Sequence, residues 1–231
     1  MNHTAVASRV IEYPGSDGQP MAETPVHRDV MIDAIQSLTR HFAERSDVYV
    51  SGNMLMYYEE GNPRKSVAPD VFVVVGASRD EDRDTYLLWR EPKAPDFVLE
   101  VTSKSTRRND QITKRALYES LGVAEYFMFD PRAEYLNPPL QGFGLHRGRY
   151  VALEVARLPD GAPALPSEAL GLSLHLRGQA LRLHDPATGE DLLTLEEEAA
   201  ARRAVEAENA RLRARIRELE RSERAPEPPR S

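Results

Sequence analysis

The chain has 231 residues, of which 41% are hydrophobic, enough for one well-packed domain with some length to spare. It contains no cysteine, which excludes disulfides and thiolate metal sites, and no apolar run of the length needed for a signal peptide or a membrane span. We therefore expect a cytoplasmic protein that makes no membrane contact. The formal net charge of −7 argues against broad, sequence-independent nucleic-acid binding, but not against an enzyme that meets DNA locally through metal ions.

The N-terminal half is predicted to contain one helix and three strands. Residues 1–24 are polar and rich in glycine and proline, which indicates an irregular segment. A helix is expected from residue 25 to about residue 45, because Thr24 can cap it, Pro25 suits its first position and apolar residues follow at core-facing spacing. Apolar, β-branched runs predict strands at residues 48–58, 67–75 and 97–102. A turn-forming cluster joins the first two strands, and a charged stretch at residues 78–93 precedes the third.

The next segments complete a mixed α/β core. A helix is predicted at residues 109–121, with Gly122 as its C-cap, and a strand at residues 125–130. Two β-hairpins are expected at residues 143–153 and 172–183. We assign the core and hairpins to one domain, residues 25–185, followed by a charged helix at 191–222 and a disordered tail at 223–231.

The charged C-terminal helix carries an interrupted heptad pattern. Its a positions are Leu195, Arg202, Asn209 and Ile216. Its d positions are Glu198, Val205, Leu212 and Leu219. Asparagine at an a position favours a two-stranded coiled coil, which predicts a homodimer. The alternative is a solvated single helix, because Arg202 and Glu198 interrupt the apolar seam.

Two carboxylates occur in strands that would normally exclude them. Asp70 begins one apolar run, and Glu100 shares a strand face with Val98 and Thr102. Carboxylates on neighbouring strands offer the hard oxygen ligands of a Mg²⁺ site. Each also has a structural alternative. Asp70 could be a turn or cap residue, and Glu100 could pair with a buried arginine or reach water at the strand end.

Lys114 is the candidate lysine of this site. At 100° per residue it shares one side of its helix with Asp110, Leu117 and Tyr118, and the apolar members of that side must face the sheet. Asp110, one turn earlier, could orient the lysine. The alternative is a lysine that reaches solvent from the edge of the buried face.

Lys104 competes with Lys114, since Glu100, Thr102 and Lys104 would share a face if the strand continued. We rank Lys104 second, because the hydroxyl-rich sequence around it indicates a loop entering the helix. Two acids and a lysine provide the chemistry of metal-dependent phosphodiester cleavage.

The order of these motifs resembles a known nuclease group. The residues are Ala-Pro-Asp70, then Pro-Asp-Phe-Val-Leu-Glu100-Val-Thr-Ser-Lys-Ser-Thr, then Asp110, Lys114 and Tyr118. They resemble the PD-(D/E)xK nuclease superfamily and, within it, the Uma-type restriction-endonuclease-like family, over roughly residues 22–185. The resemblance implies a restriction-endonuclease-like core, a mixed β-sheet flanked by helices, and endonuclease activity on DNA.

Residue roles follow from the resemblance position by position. Asp70 matches the central aspartate of the superfamily and Glu100 matches its second acid. The expected lysine position after Val101 is occupied by Thr102, so the lysine has moved to the following helix, at Lys114. Asp70 and Glu100, with the Val101 carbonyl, are expected to hold one or two Mg²⁺ or Mn²⁺ ions.

Further residues complete the predicted site. Lys104, Arg107 and Arg108 are expected to contact DNA phosphates at the helix entrance. The superfamily usually places an acid on the first helix, and the core-facing stripe here has none. Glu23 and His27 are therefore carried as supporting residues, although His27 could simply be a histidine at a helix start. The alternative function is a catalytically inactive, dimeric binding or assembly module with a nuclease fold.

Overall fold

The structure, a computed structural model, describes residues 11–16 and 24–223. The chain forms two compact units, one ending at Leu192 and the other beginning at Leu193. Most of the predicted irregular segment, including Glu23, lies outside the described residues, as does nearly all of the predicted C-terminal tail. Residues 11–16 form neither helix nor strand.

The first unit is rich in strands. It begins with helix α1 (Pro25–His41), and a π-helical stretch, Asn109–Lys114, later continues into helix α2 (Arg115–Leu121). Its strands are, in chain order, β1 (Val48–Ser51), β2 (Met56–Tyr57), β3 (Ser66–Val67), β4 (Val71–Val75), β5 (Tyr86–Leu87), β6 (Phe97–Val101), β7 (Glu125–Phe129), β8 (Leu140–His146), β9 (Arg149–Ala152), β10 (Ala156–Arg157), β11 (Pro163–Ser167), β12 (Leu172–Arg177), β13 (Ala180–Asp185) and β14 (Glu190–Asp191).

A six-stranded mixed sheet forms the centre of this unit, in the order β1-β4-β6-β7-β8-β9. Its neighbouring strands are antiparallel except β6 and β7, which run parallel. A parallel pair needs a crossover connection, and the π-helical stretch with α2 supplies it. A five-stranded sheet, β10 to β14, and a small sheet, β3-β2-β5, complete the unit.

Helices cover both faces of the central sheet. Alternate residues of β4 enter different apolar clusters, as the pleat requires. Val71 and Val73 pack with residues of α1 and of the five-stranded sheet, whereas Phe72 and Val74 pack with Tyr118 of α2. The predicted mixed α/β fold, a sheet flanked by helices, is confirmed.

Several element predictions hold closely. The predicted helix at 109–121 is present and ends at Gly122, whose positive φ of 82° suits a left-handed C-cap. The predicted strand at 125–130 is β7. The two predicted hairpins are β8–β9 and β12–β13.

The predicted strand at 48–58 is wrong as one element. It divides into β1, in the central sheet, and β2, in the small sheet. The break lies at Gly52 and Asn53, where Asn53 has a positive φ of 52° and its N–H donates to Pro69 O over 2.8 Å. At Gly52 an added Cβ would lie 2.1 Å from the Asp70 carbonyl oxygen. Periodicity could not predict this break, because its cause is a contact with a distant segment.

The predicted strand at 67–75 is also divided, into β3 and β4. Pro69 lies between them and has no N–H to donate to a strand ladder. No element was predicted for the charged stretch at 78–93, and the structure places β5 within it, paired in parallel with β2. Its Tyr86 is fully buried, so two residues suffice to anchor that stretch.

The second unit is described by one long helix, α3 (Leu195–Glu223). The prediction placed its start at Asp191, but Asp191 belongs to β14. Thr194 caps the helix, because its hydroxyl accepts from Glu197 N–H at 3.2 Å and the Glu197 carboxylate accepts from Thr194 N–H at 2.9 Å. Among the described residues, none of the helices has the length and apolar character needed to cross a bilayer.

Candidate active site

Glu100 lies at the centre of a buried polar cluster between β6 and the following helix. Its side chain is only 1% exposed. Lys114 Nζ lies 2.7 Å from Glu100 Oε2, and the Tyr118 hydroxyl donates to Glu100 Oε1 over 2.7 Å. Lys114 and Tyr118 are one helical turn apart, so both reach the same carboxylate. The predicted orientation of Lys114 toward the sheet is therefore observed.

Asp70 lies next to this cluster because β4 and β6 are neighbours, with Val71 opposite Leu99. Its Oδ2 accepts from Val101 N–H over 2.7 Å and lies 3.2 Å from His27 Nε2. Both contacts use Oδ2, so Oδ1 is available for another ligand. Lys114 Nζ also donates to Ala68 O over 3.2 Å, which links the lysine to the segment that carries Asp70.

Asp110 adds a third carboxylate. It is 1% exposed, and its Oδ1 lies 4.0 Å from Lys114 Nζ. The Asp110 oxygens and the buried Thr102 hydroxyl have no hydrogen-bond partner of good geometry among the described residues, although the Thr102 and Thr106 hydroxyls lie close enough to Asp110 to favour its ionised form. Burial raises the pKa of Asp110, while Lys114 opposes the rise. Such uncommitted buried oxygens are unusual outside functional sites.

The backbone around Asp110 is a π-helix. This conformation is rare in proteins, and where it occurs it is often found at functional sites. The Arg115 N–H bonds to Asp110 O, five residues back, and the Tyr126 hydroxyl donates to the same carbonyl over 3.0 Å. The wider helical turn and the tyrosine together hold Asp110 inside the protein.

The charges of the cluster follow from burial and proximity. Burial alone would raise the pKa of Asp70, but His27, Lys114 and a backbone amide outweigh it, and the Asp70 pKa is lowered. Burial raises the pKa of Glu100 to about 8, although Lys114 acts in the opposite direction. Burial would lower the pKa of Lys114, yet the neighbouring carboxylates, Glu100 first, raise it. At neutral pH an anionic Asp70 therefore lies near a protonated Lys114.

A pocket of about 550 Å³ opens beside Asp70. Its walls include His27, Thr102 and the loop of residues 103–106 that follows β6. Arg132 and Tyr135, from the loop that follows β7, complete it. Because β6 and β7 are parallel, their carboxyl ends meet at one edge of the sheet, and both loops reach the same space.

Comparison with known proteins places the chain in a family. A family described as "Putative restriction endonuclease", Uma2, matches residues 8–177, well over half of the sequence. The chain belongs to the Uma2 family. The resemblance stated from the motifs is thereby confirmed, and the class of function it supports is that of a nuclease.

Two further comparisons complement the Uma2 match. A solved structure described as a "putative nuclease belonging to DUF820", from Anabaena variabilis, is similar to this chain with 14% identity and a TM-score of 0.47. The similarity covers 74% of this chain and 84% of that one. The comparison with curated proteins found no match.

In this Uma2 protein the predicted site residues are brought together to different degrees. Asp70, Glu100, Asp110, Lys114 and Tyr118 form one connected cluster, joined by the contacts given above. His27 joins it through Asp70, and Thr102, two residues after Glu100, lines the pocket. Val101 contributes its N–H to Asp70. Whether its carbonyl binds a cation stays a prediction.

The predicted phosphate-binding residues are more spread out. Lys104 lines the pocket and is exposed, whereas Arg107 and Arg108 lie outside its lining. The Arg107 guanidinium lies 6.0 Å from the centre of the Tyr135 ring. Arg132 and Tyr135 were missed by the sequence reasoning. The signal that could have found them is the parallel pairing of β6 and β7, which brings residues after both strands to one edge.

Proposed function

We propose that this protein is a divalent-metal-dependent endonuclease that hydrolyses phosphodiester bonds of DNA. The observation that carries the proposal is the buried contact of Lys114 with Glu100 next to Asp70, which itself lines an open pocket. Membership of the Uma2 family supports the nuclease class. Mg²⁺ or Mn²⁺ and DNA are the cofactor and substrate that we propose.

The donor set suits a hard divalent cation. Asp70 has an uncommitted carboxylate oxygen, and the Glu100 oxygens each accept one hydrogen bond and retain a further lone pair. Asp70, Glu100 and the Val101 carbonyl would hold the ion, and Asp110 supplies a further buried carboxylate nearby. A bound divalent cation supplies a Lewis acid that neutralises charge on the scissile phosphate.

Lys114 would act as a cation rather than as a base. Its raised pKa keeps the ammonium protonated, and Glu100 with Ala68 O fixes its direction. A fixed positive charge stabilises negative charge that develops on a phosphate oxygen, and it can also orient the attacking water. Tyr118 holds the other Glu100 oxygen and so fixes the carboxylate that holds the lysine.

Substrate contacts are proposed for the basic residues around the pocket. Lys104 and Arg132 line the pocket, and Arg107 and Arg108 follow on the helix entrance. Phosphate contacts of this kind position the backbone of a nucleic acid without reading its sequence. Local positive groups of this kind allow binding in a protein whose net charge is −7.

We also propose a homodimer through α3. The apolar heptad residues of α3 are exposed, among them Val205, Leu212, Ile216 and Leu219. A second copy of the same helix would cover them in a parallel coiled coil, with Asn209 pairing at an a position. Two active sites in one dimer could cut both strands of a duplex.

The test is cleavage of supercoiled plasmid and single-stranded DNA with Mg²⁺ or Mn²⁺. Lys114→Met should reduce cleavage roughly 100- to 1000-fold, because it removes a fixed charge from the transition state. Asp70→Asn should abolish metal-dependent cleavage. Lys65→Met, which removes an exposed lysine from the turn between β2 and β3, is the matched control and should leave the rate unchanged.

Two results would contradict the proposal in different ways. Loss of cleavage in Lys104→Met but not in Lys114→Met would place the catalytic lysine on the loop. No cleavage by the folded wild-type protein, together with no binding of Mg²⁺ or Mn²⁺, would favour the alternative of a non-catalytic dimeric assembly module. The exposed apolar residues of α3 are the observation that favours that alternative.

A further inference from the structure

A second polar cluster lies in the five-stranded sheet, built from two histidines and an aspartate. Asp191 Oδ1 lies 2.8 Å from His175 Nε2 and 3.2 Å from His184 Nδ1. The three ligand atoms all lie within 4.8 Å of one another. Both imidazoles are almost fully buried. None of these residues contributes to the proposed nuclease chemistry.

The sheet register holds the three side chains on one face. His184 of β13 pairs directly with Asp191 of β14 and with Ser173 of β12. His175 is two residues beyond Ser173 on β12 and therefore lies on the same face. Three neighbouring strands thus position the cluster, and rigid strands give better-defined ligand positions than loops.

We infer that His175, His184 and Asp191 bind a divalent transition metal ion of the zinc type. Imidazole nitrogen together with a carboxylate oxygen is a donor set that Zn²⁺ and its neighbours favour. A tetrahedral Zn²⁺ at 2.0–2.1 Å from its ligands holds them about 3.3 Å apart. The two separations from Asp191 Oδ1, 2.8 and 3.2 Å, would open slightly to reach this value, and the two imidazole nitrogens start no more than 4.8 Å apart.

The protonation state of His175 is compatible with this role. Its Nδ1 is buried and has no hydrogen-bond partner among the described residues. No neighbouring group among these residues holds a hydrogen bond to Nδ1, so the ring can take its hydrogen there and direct the Nε2 lone pair at a bound cation. In the metal-free protein, the two rings can instead donate N–H bonds to Asp191 Oδ1.

Two arginines restrict how the aspartate can bind. Arg177 Nη2 lies 3.0 Å from Asp191 Oδ2, and Arg182 Nε lies 3.6 Å from it. The carboxylate would therefore bind the metal through Oδ1 alone, with the guanidinium groups orienting it from the other side. Their positive charge lowers the affinity, so we expect a site that exchanges its metal and needs free ion in solution to fill.

The proposed site is separate from the nuclease centre in sequence and in chemistry. His184 and Asp191 lie beyond residue 177, where the match to the Uma2 family ends. Its imidazole ligands select against Mg²⁺, whereas the Asp70 and Glu100 carboxylates select for it. The metal would join β14, an edge strand of only two residues, to β12 and β13.

The experiment uses the full-length protein, stripped with a chelator and held in excess Mg²⁺ to occupy hard oxygen sites. Zn²⁺ binding is measured by calorimetry, and Co²⁺ binding by the visible absorption of a tetrahedral complex. We expect one ion per chain and a raised thermal unfolding temperature. His184→Gln should weaken Zn²⁺ binding by more than the roughly 10- to 100-fold cost of losing a residue that only hydrogen-bonds to a metal ligand.

Two controls make the outcome decisive. His146→Gln removes an exposed histidine from the β8–β9 turn and should bind Zn²⁺ like the wild type. His184→Gln retains an amide that can bond to Asp191, so its metal-free stability should stay near that of the wild type. No tetrahedral Co²⁺ spectrum in the wild-type protein, or unchanged Zn²⁺ affinity in folded His184→Gln, would overturn the assignment and leave a hydrogen-bonded network.

Discussion

In the absence of metal, the wild-type protein should lose stability as the pH rises, and the Glu100→Gln variant should not lose this contribution. The difference between their free energies of unfolding should therefore grow with pH in favour of the variant. Glu100 is fully buried, and burial raises its pKa from about 4.5 in the unfolded chain to about 8 in the folded one. A raised folded pKa means that the folded state holds the proton more tightly. The stabilisation is therefore complete below about pH 4.5 and is lost as the pH rises toward 8.

The size of the effect follows from the same two pKa values. Where a group is protonated in the folded state and ionised in the unfolded state, the free energy of unfolding changes by about 1.4 kcal/mol per pH unit. Between pH 5 and pH 8 the wild-type protein should lose about 3 to 4 kcal/mol from this group alone. Glu100→Gln cannot ionise, so the difference between the two proteins removes the titration of residues outside the cluster and reports Glu100 together with its coupled neighbour Lys114.

The assay is urea denaturation at pH 5, 6, 7 and 8 with a chelator present, and unfolding is monitored by circular dichroism. Glu60→Gln, which removes an exposed carboxylate, should run parallel to the wild type. If the Glu100→Gln and wild-type stabilities also run parallel, within about 1 kcal/mol, burial does not hold Glu100 protonated and the reasoning is wrong. Saturating Mg²⁺ should raise the stability of the wild-type protein at pH 8, because a bound cation stabilises the ionised carboxylate. It should raise the stability of Glu100→Gln much less.

Three other changes test the positioning of the site. Gly52→Ala places a Cβ 2.1 Å from the Asp70 carbonyl oxygen, so it should cost about 1–3 kcal/mol and weaken metal binding; a neutral effect on unfolding would contradict the close approach. Tyr118→Phe removes the 2.7 Å bond to Glu100, so in the pH series its Glu100 titration should move to higher pH; an unmoved titration would show that the bond is unimportant. Removal of the chain after Leu192 should change the species seen by light scattering from a dimer to a monomer of the shortened chain while the first unit stays folded; a dimer of the shortened chain would exclude α3 as the dimer contact.

Local sequence patterns predicted those parts of the site that depend on spacing along one element. Lys114 and Tyr118 face Glu100 because helical periodicity places them on the apolar side of their helix. Strand alternation likewise identified Glu100 as a buried carboxylate. These inferences needed no knowledge of distant contacts, because the sheet and the helix each impose their own period.

Features that depend on distant contacts were missed. The break between β1 and β2 follows from the close approach of Gly52 to Asp70, which are 18 residues apart in the sequence. Arg132 and Tyr135 reach the pocket only because β7 runs parallel to β6. The carbonyl of Asp110 in the π-helical turn accepts a hydrogen bond from the hydroxyl of Tyr126, a residue of β7. Each depends on tertiary packing that single-element periodicity does not encode.

The cluster of buried carboxylates is costly for folding, and its cost points to a functional reason for its presence. Burial raises the pKa values of Glu100 and Asp110, and the neighbouring carboxylate Asp70 adds to the rise, while the single lysine at Lys114 only partly opposes it. A protein selected only for stability would replace Glu100 and Lys114 by apolar residues of similar volume, which is often neutral or favourable. A divalent cation supplies the charge that the cluster lacks. The electrostatic imbalance is therefore itself an argument for metal binding, and the pH series with and without Mg²⁺ measures it directly.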